Sequence, residues 1–256
     1  MSYDPIQRHL AIEKLVTRPG IEGEEKKYYR FRPARWYGGI VTADCAGCGL
    51  LCRFCWVRDS VTLRPANTGR FYTPGHVADN LTALARTCGF RQLRVSGGEP
   101  TIGKTHLLQL LDLLKDKGVS FILETNGILI GYDENYAKDL AKYDFVHARV
   151  SLKGCDKQEF SVLTGAKSEG FELQLRSLKK LTEAGVKCHP SVMVSFSNRE
   201  NLASLKEKLR QISSDLAEQM EIEELILYPH VIRRLQECGL RHVSGYDPGN
   251  VPKERI

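Results

Sequence analysis

The chain has 256 residues, 42% hydrophobic and 27% charged, with a net charge of +6, the balance of an ordinary globular protein rather than a disordered one, and the length suits one α/β domain better than two small ones. No run approaches the ~18 apolar residues of a membrane span, and the N-terminus MSYDPIQRHLAIEKLV lacks the basic-then-apolar layout of a secretory signal, so a cytoplasmic protein without membrane contact is expected. Eight cysteines in a reducing compartment point to metal binding or redox chemistry before disulfides.

Residues 1–36 read as an N-terminal arm, ending in the basic and aromatic stretch YYRFRPARWYGG with Arg30, Arg32 and Arg35. A solvated strip over the domain is its first reading, and a track for a phosphate backbone its second. From 37 to 239, apolar runs of strand length alternate with helical patterns. Strands are expected near 39–42, 92–96, 120–124, 146–152, 187–195 and 225–228, and helices near 77–87, 105–117, 134–142, 171–184, 202–220 and 231–238. HLLQLLDLLKDKG carries leucines at 107, 110, 111 and 114 as a helical stripe and runs out in lysines and Gly118. Gly89 and Gly185 stop two further helices. Strand–helix alternation implies a parallel sheet with right-handed crossovers, open, doubly wound or curled into a barrel. Residues 240–256 follow as a C-terminal tail.

Side-chain parity bears on what the sheet encloses. In HARVSLK, residues 147–153, Ala148, Val150 and Leu152 share one face while His147, Arg149, Ser151 and Lys153 share the other. QLRVSG repeats this with Leu93 and Val95 opposite Arg94 and Ser96, and the next strand opposes Phe121 and Leu123 to Ser120, Ile122 and Glu124. With helices covering the apolar side, the charged set faces inward, where it must be paired or meet a polar ligand.

The stretch TADCAGCGLLCRFCW places Cys45, Cys48, Cys52 and Cys55 in one loop after the first of these strands. Four thiolates can close a zinc site or ligate an iron–sulfur cluster. Structural zinc usually staples two separated pairs, whereas this cluster lies at a strand's C-terminal end, where α/β proteins put chemistry.

CGLLCRFC, with Cys48, Cys52, Phe54 and Cys55, resembles the signature of the radical S-adenosylmethionine superfamily. SGGEP after the second strand (Gly97, Gly98, Glu99, Pro100), ETN after the third (Glu124, Thr125, Asn126) and SLK after the fourth (Ser151, Leu152, Lys153) follow in the superfamily's order. The resemblance covers residues ~37 to ~230 and implies an α/β fold, a partial (β/α)6 TIM-like barrel with a mainly parallel sheet. It also implies an enzyme with a [4Fe–4S] cluster and S-adenosyl-L-methionine as cofactors. Cys48, Cys52 and Cys55 would ligate three irons and leave the fourth open. Gly97, Gly98 and Glu99 would receive the methionyl amino group, and Lys153 with Ser151 its carboxylate. Glu124 and Asn126 would contact ribose or the methionyl end, and Phe54 and Trp56 would lie by the adenine. Val194 and Ser195 would flank the adenine, and His230 would complete the pocket. Reductive cleavage would give methionine and a 5′-deoxyadenosyl radical that abstracts hydrogen from a substrate.

Within the superfamily, size and motif set resemble the small activating enzymes of glycyl radical proteins, such as the pyruvate formate-lyase activating enzyme. SLKG followed by FSVLTGA resembles the wybutosine-synthesis branch. The resemblance implies as substrate a partner protein, a tRNA nucleoside or a metabolite, and as reductant a protein such as flavodoxin or ferredoxin. The arm, residues 1–36, has no superfamily motif and is the expected specificity element. Cys45 has no superfamily role and reads as a packed thiol. Cys155, after SLKG, is a candidate hydrogen donor or adduct site. Cys88, Cys188 and Cys238 read as buried small hydrophobes, and VIRRL near residue 231 as a solvated helix face. The competing function is a non-catalytic four-cysteine protein, a zinc module or an electron carrier. It uses Cys45 but leaves SGGEP, ETN and SLK unexplained.

Overall fold

The computed structural model describes residues 2–252; the last four residues of the expected C-terminal tail lie outside them. Asp4 accepts the backbone N–H groups of Ile6 and Gln7, and Pro5 fills the first turn, so helix α1 (Pro5–Val16) begins there. It leads into a hairpin of β1 (Thr17–Gly20) and β2 (Gly23–Ala34). The segment expected as an arm is thus a helix and two strands of the main sheet. β3 (Ile40–Cys45) carries the cysteine loop at its end, followed by α2 (Asp59–Leu63), β4 (Arg70–Tyr72) and α3 (Pro74–Cys88). Gly89 closes α3 at φ 69°, a left-handed stop that favours glycine.

The repeat then runs β5 (Gln92–Gly97), α4 (Lys104–Leu114), β6 (Ser120–Thr125), α5 (Ile128–Tyr132), α6 (Tyr136–Leu140) and β7 (Val146–Leu152). It continues with α7 (Lys157–Thr164), α8 (Gly170–Glu183), β8 (Lys187–Met193), α9 (Arg199–Ile212), α10 (Ser214–Glu218), β9 (Glu221–Glu223) and α11 (Pro229–Glu237). The nine-stranded sheet has the order β1-β2-β3-β5-β6-β7-β8-β9, with β4 beside β2. The pairs from β3 to β9 are parallel and those made by β2 antiparallel. The path ends at β9 without closing, so the α/β fold is a partial TIM-like barrel, as expected.

Parity behaves as the sequence indicates. Val41, Ala43, Leu93, Val95, Phe121, Leu123, Ala148 and Val150 are all essentially inaccessible and join Leu81, Leu107, Leu110, Leu111, Leu178 and Leu181 in one core. Thr42, Asp44, Arg94, Ser96, Glu124, Arg149 and Ser151 alternate with them and face the lumen. Two boundaries differ from expectation. The sixth parallel strand is Glu221–Glu223 rather than 225–228, because Glu221 and Glu223 reach Arg149 across the lumen, while Ile226 bridges Tyr246 instead. The helix expected over 202–220 breaks at Ser213, whose backbone is extended.

Candidate active site

Cys45 ends β3 on the same face as Val41 and Ala43, in register with Tyr28 on one side and Gly97 on the other. It is fully buried, and burial pushes its thiol up to about 11, partly offset by Lys26 and reinforced by Glu99 and Asp44. The next three cysteines belong to a different environment. Leu50 N–H and the Asn126 side-chain amide donate to the Cys48 sulfur at 3.4 and 3.7 Å. Cys55 N–H donates to Cys52 O at 3.1 Å, closing a turn that gathers these two residues. Burial raises all three thiols, Cys52 to about 12. Cys52 and Cys55 add to the effect at Cys48, whereas Lys153 and Arg234 oppose it at Cys52 and Cys55.

The loop is braced from three sides. Tyr3 accepts Leu51 N–H at 2.8 Å and donates to Thr164 O at 3.1 Å. Arg53 N–H donates to Leu163 O at the end of α7, 2.9 Å. From α11, Arg234 donates to Cys55 O at 2.7 Å and to Asp59 at 2.5 Å, and His230 donates to Trp56 O at 2.8 Å. VIRRL is therefore not simply a solvated face: Arg234 folds back onto the loop because Asp59 and the carbonyls of Cys55 and Val57 accept from it. Phe54 packs against Phe196, ring centroids 5.6 Å apart, and Trp56 is exposed.

SGGEP meets the loop backbone to backbone. Gly98 N–H donates to Cys45 O and Glu99 N–H to Gly47 O, both at 2.7 Å. A Cβ at residue 98 would sit 2.2 Å from Gly47 O, so only glycine permits this approach. The Glu99 carboxylate is turned into the protein. Thr101 N–H and hydroxyl and the Thr125 hydroxyl donate to one oxygen at 3.1, 2.6 and 2.7 Å, and Asn126 N–H to the other at 2.8 Å. Lys26, 1% exposed, donates to the carbonyls of Glu99, Pro100 and Ile102.

Beneath the loop, four guanidiniums meet four carboxylates. Arg30 and Arg32 donate to Asp44, Arg94 to Glu124 and Arg149 to Glu221 and Glu223, at 2.6–2.9 Å. Ser96 and Tyr37 also donate to Glu124, at 2.7 and 2.9 Å. Burial would raise the Glu124 carboxyl, but Arg94 and Arg149 outweigh it and hold it low. Lys153 donates to Ser151 Oγ at 2.5 Å, and Ser151 to Glu223 at 3.2 Å. Asn126, Lys153, Phe54 and the three cysteines are thus brought to one end of the strands.

Ser195, Val194 and Cys155 have partners within the fold. Ser195 is buried, its hydroxyl accepting Leu225 N–H at 2.9 Å and meeting Ser244 at 3.3 Å. Val194 N–H donates to Glu223 O. Cys155 is 1% exposed, burial raises its thiol to about 11, and its partner is Ser197. Sequence reasoning missed Tyr37, Glu221, Glu223, Arg234 and His9. For His9 a signal existed: Asp4-Pro5 announces α1, on which it lies.

Residues 44–209 match the Radical SAM superfamily profile. The chain belongs to the radical SAM superfamily. It is 30% identical over 118 residues to a probable GTP 3',8-cyclase of Sulfurisphaera tokodaii, covering 46% of this chain and 35% of that one. It is 26% identical over 188 residues to the pyruvate formate-lyase-activating enzyme of Clostridium pasteurianum, covering 72% of each. The chain spans about a third to a half of the length of the cyclases it matches. Streptococcus suis SuiB bound to S-adenosylmethionine shares the fold at a TM-score of 0.58 and 19% identity, over 74% of this chain and 44% of SuiB. As a radical SAM enzyme, the protein has a [4Fe–4S] cluster and S-adenosylmethionine as cofactors. The residues fit them in chemistry: three thiols on one loop that act on one another electrostatically, N–H donors to the Cys48 sulfur, two cations that offset thiolate charge, and a glycine turn with no room for a Cβ. Among the described residues, no helix is long and apolar enough to cross a membrane.

Proposed function

We propose that Cys48, Cys52 and Cys55 hold the [4Fe–4S] cluster and that the polar lumen receives the substrate. The observation that carries this is the split in the cysteine loop: Cys45 points into the helix-covered core while the other three thiols act on one another and on Lys153 and Arg234. Three ligands leave one iron for S-adenosylmethionine; four would not. When bound, the cluster would supply the single electron that reductive cleavage of S-adenosylmethionine requires, and the products would be methionine and a radical able to take a hydrogen atom from substrate.

The chain's own residues bind and orient. With the Glu99 carboxylate spent inside the fold, the backbone of Gly97 and Gly98 is what the SGGEP turn offers to the methionyl ammonium, and Glu99 acts by fixing that turn. Lys153, held on Ser151, pairs with the methionyl carboxylate. Phe54, backed by Phe196, gives the adenine an apolar wall, with Trp56 at its exposed edge. Glu124, Asn126, Val194, Ser195 and His230 support the pocket through the contacts described above rather than by open polar groups. Reduction comes from a protein such as flavodoxin or ferredoxin.

With Lys153 given to the methionyl carboxylate, four guanidiniums against four carboxylates in the lumen leave no surplus of positive charge for a triphosphate. This favours a polar reacting group of low net charge, a nucleoside or small-molecule moiety, over a nucleoside triphosphate. The test is electron paramagnetic resonance on reconstituted, dithionite-reduced protein. S-adenosylmethionine should change the cluster signal in the wild type and not in Lys153→Met. An unchanged wild-type signal at full cluster content would overturn the three-ligand assignment.

A further inference from the structure

His9 lies on α1, outside every superfamily motif, yet is fully buried against the cysteine loop. Its Nδ1 is 2.6 Å from Pro5 O, which can only accept, so Nδ1 carries the hydrogen and Nε2 presents a lone pair. Asn126 Nδ2 is 3.1 Å from that Nε2 and 3.7 Å from the Cys48 sulfur. The amide cannot be reversed, because Asn126 Oδ1 accepts Ile128 N–H at 3.0 Å. Both hydrogens of one amide are therefore assigned, one to His9 and one to Cys48. The fit is close: a Cβ on Gly49 would lie 2.0 Å from His9 Nδ1, so the loop passes with only a glycine to spare.

We propose that His9 is a positioning residue that locks the Asn126 amide onto the Cys48 sulfur and thereby sets the reduction potential of the cluster. The inference rests on the assignment of Cys48 as a ligand. A hydrogen bond to a ligating sulfur stabilises the more negative, reduced cluster, so it raises the potential. Without an acceptor at residue 9, the amide is held only at Oδ1 by Ile128 N–H, its hydrogen is less firmly directed at the sulfur, and the cluster becomes harder to reduce.

The experiment is a redox titration of the reconstituted full-length protein, followed by electron paramagnetic resonance, with iron and sulfide content measured alongside. His9→Leu should lower the reduced-to-oxidised ratio at fixed potential by about tenfold, equal to 59 mV for one electron. His9→Gln, whose amide oxygen can stand where Nε2 stands, should restore it. Asn126→Ser keeps an acceptor for Ile128 N–H, but its hydroxyl is one atom short of the amide nitrogen that reaches the sulfur at 3.7 Å; it should shift the ratio in the same direction and carries the test if His9→Leu does not fold. Equal potentials in wild type, His9→Leu and Asn126→Ser at full cluster content would overturn the role of His9. A full cluster in Cys48→Ala would instead overturn the ligand assignment on which it rests.

Discussion

Cys45 and Cys48 are three residues apart, yet their thiols face opposite surroundings. Cys45 lies with Val41 and Ala43 on the covered side of β3, while the Cys48 sulfur accepts N–H groups from Leu50 and Asn126. Cys45→Ala should therefore keep the full iron and sulfide content and lose about 1 kcal/mol of packing, as for a small buried hydrophobe. Each of Cys48→Ala, Cys52→Ala and Cys55→Ala should lose the cluster. Absorbance near the cluster's charge-transfer bands and iron analysis check both.

The SGGEP turn and the cysteine loop meet where no side chain fits. Gly98→Ala must push Gly47 O away from 2.2 Å, which breaks the Gly98–Cys45 and Glu99–Gly47 hydrogen bonds together. The expected cost is about 1–3 kcal/mol of stability, read by urea unfolding, together with reduced cluster retention.

Much of this arrangement is legible in sequence, and the exceptions have physical causes. The inward set of Arg94, Glu124, Arg149 and Ser151 follows from strand parity, because a helix-covered sheet puts its apolar residues outward. β9 escapes the same logic because EIE is polar at both ends and short; its glutamates face Arg149, and the more apolar run LILY beyond it draws the eye. β2 escapes because its charges are buried without looking so: Lys26 is caged by three carbonyls that no local pattern announces. The cysteine triplet and its companions at strand ends are visible in order. The braces from Arg234 and His9 lie 179 and 117 residues from their partners, Cys55 and Asn126, and so appear only in the fold.

Lumen pairs are to be tested in twos. Arg94→Met alone strands the Glu124 charge beside Tyr37 and Ser96 and should cost about 3–5 kcal/mol. Adding Glu124→Gln removes the stranded charge and should recover most of that loss. Urea unfolding of the single and double variants measures the difference.

Acid should act partly through Glu221. Burial opposes its ionisation, but Arg149 and His189 outweigh burial and hold it at about 2 against an ordinary 4.5. Between those values the unfolded chain binds a proton that the folded chain refuses, so this stabilisation is complete above 4.5 and is lost as pH falls towards 2. The Tm advantage of wild type over Glu221→Gln should shrink across that window. A constant difference would mean that Glu221 titrates normally in the fold.

The central claim is that three cysteines, not four, make a cluster that cleaves S-adenosylmethionine. It is tested most directly by reconstituting the protein anaerobically, reducing it with dithionite, adding S-adenosylmethionine and measuring 5′-deoxyadenosine by chromatography. Wild type and Cys45→Ala should both form it and Cys52→Ala should not. No product from a fully loaded wild type, together with loss of the cluster in Cys45→Ala, would contradict the account and assign the loop to a closed four-cysteine centre.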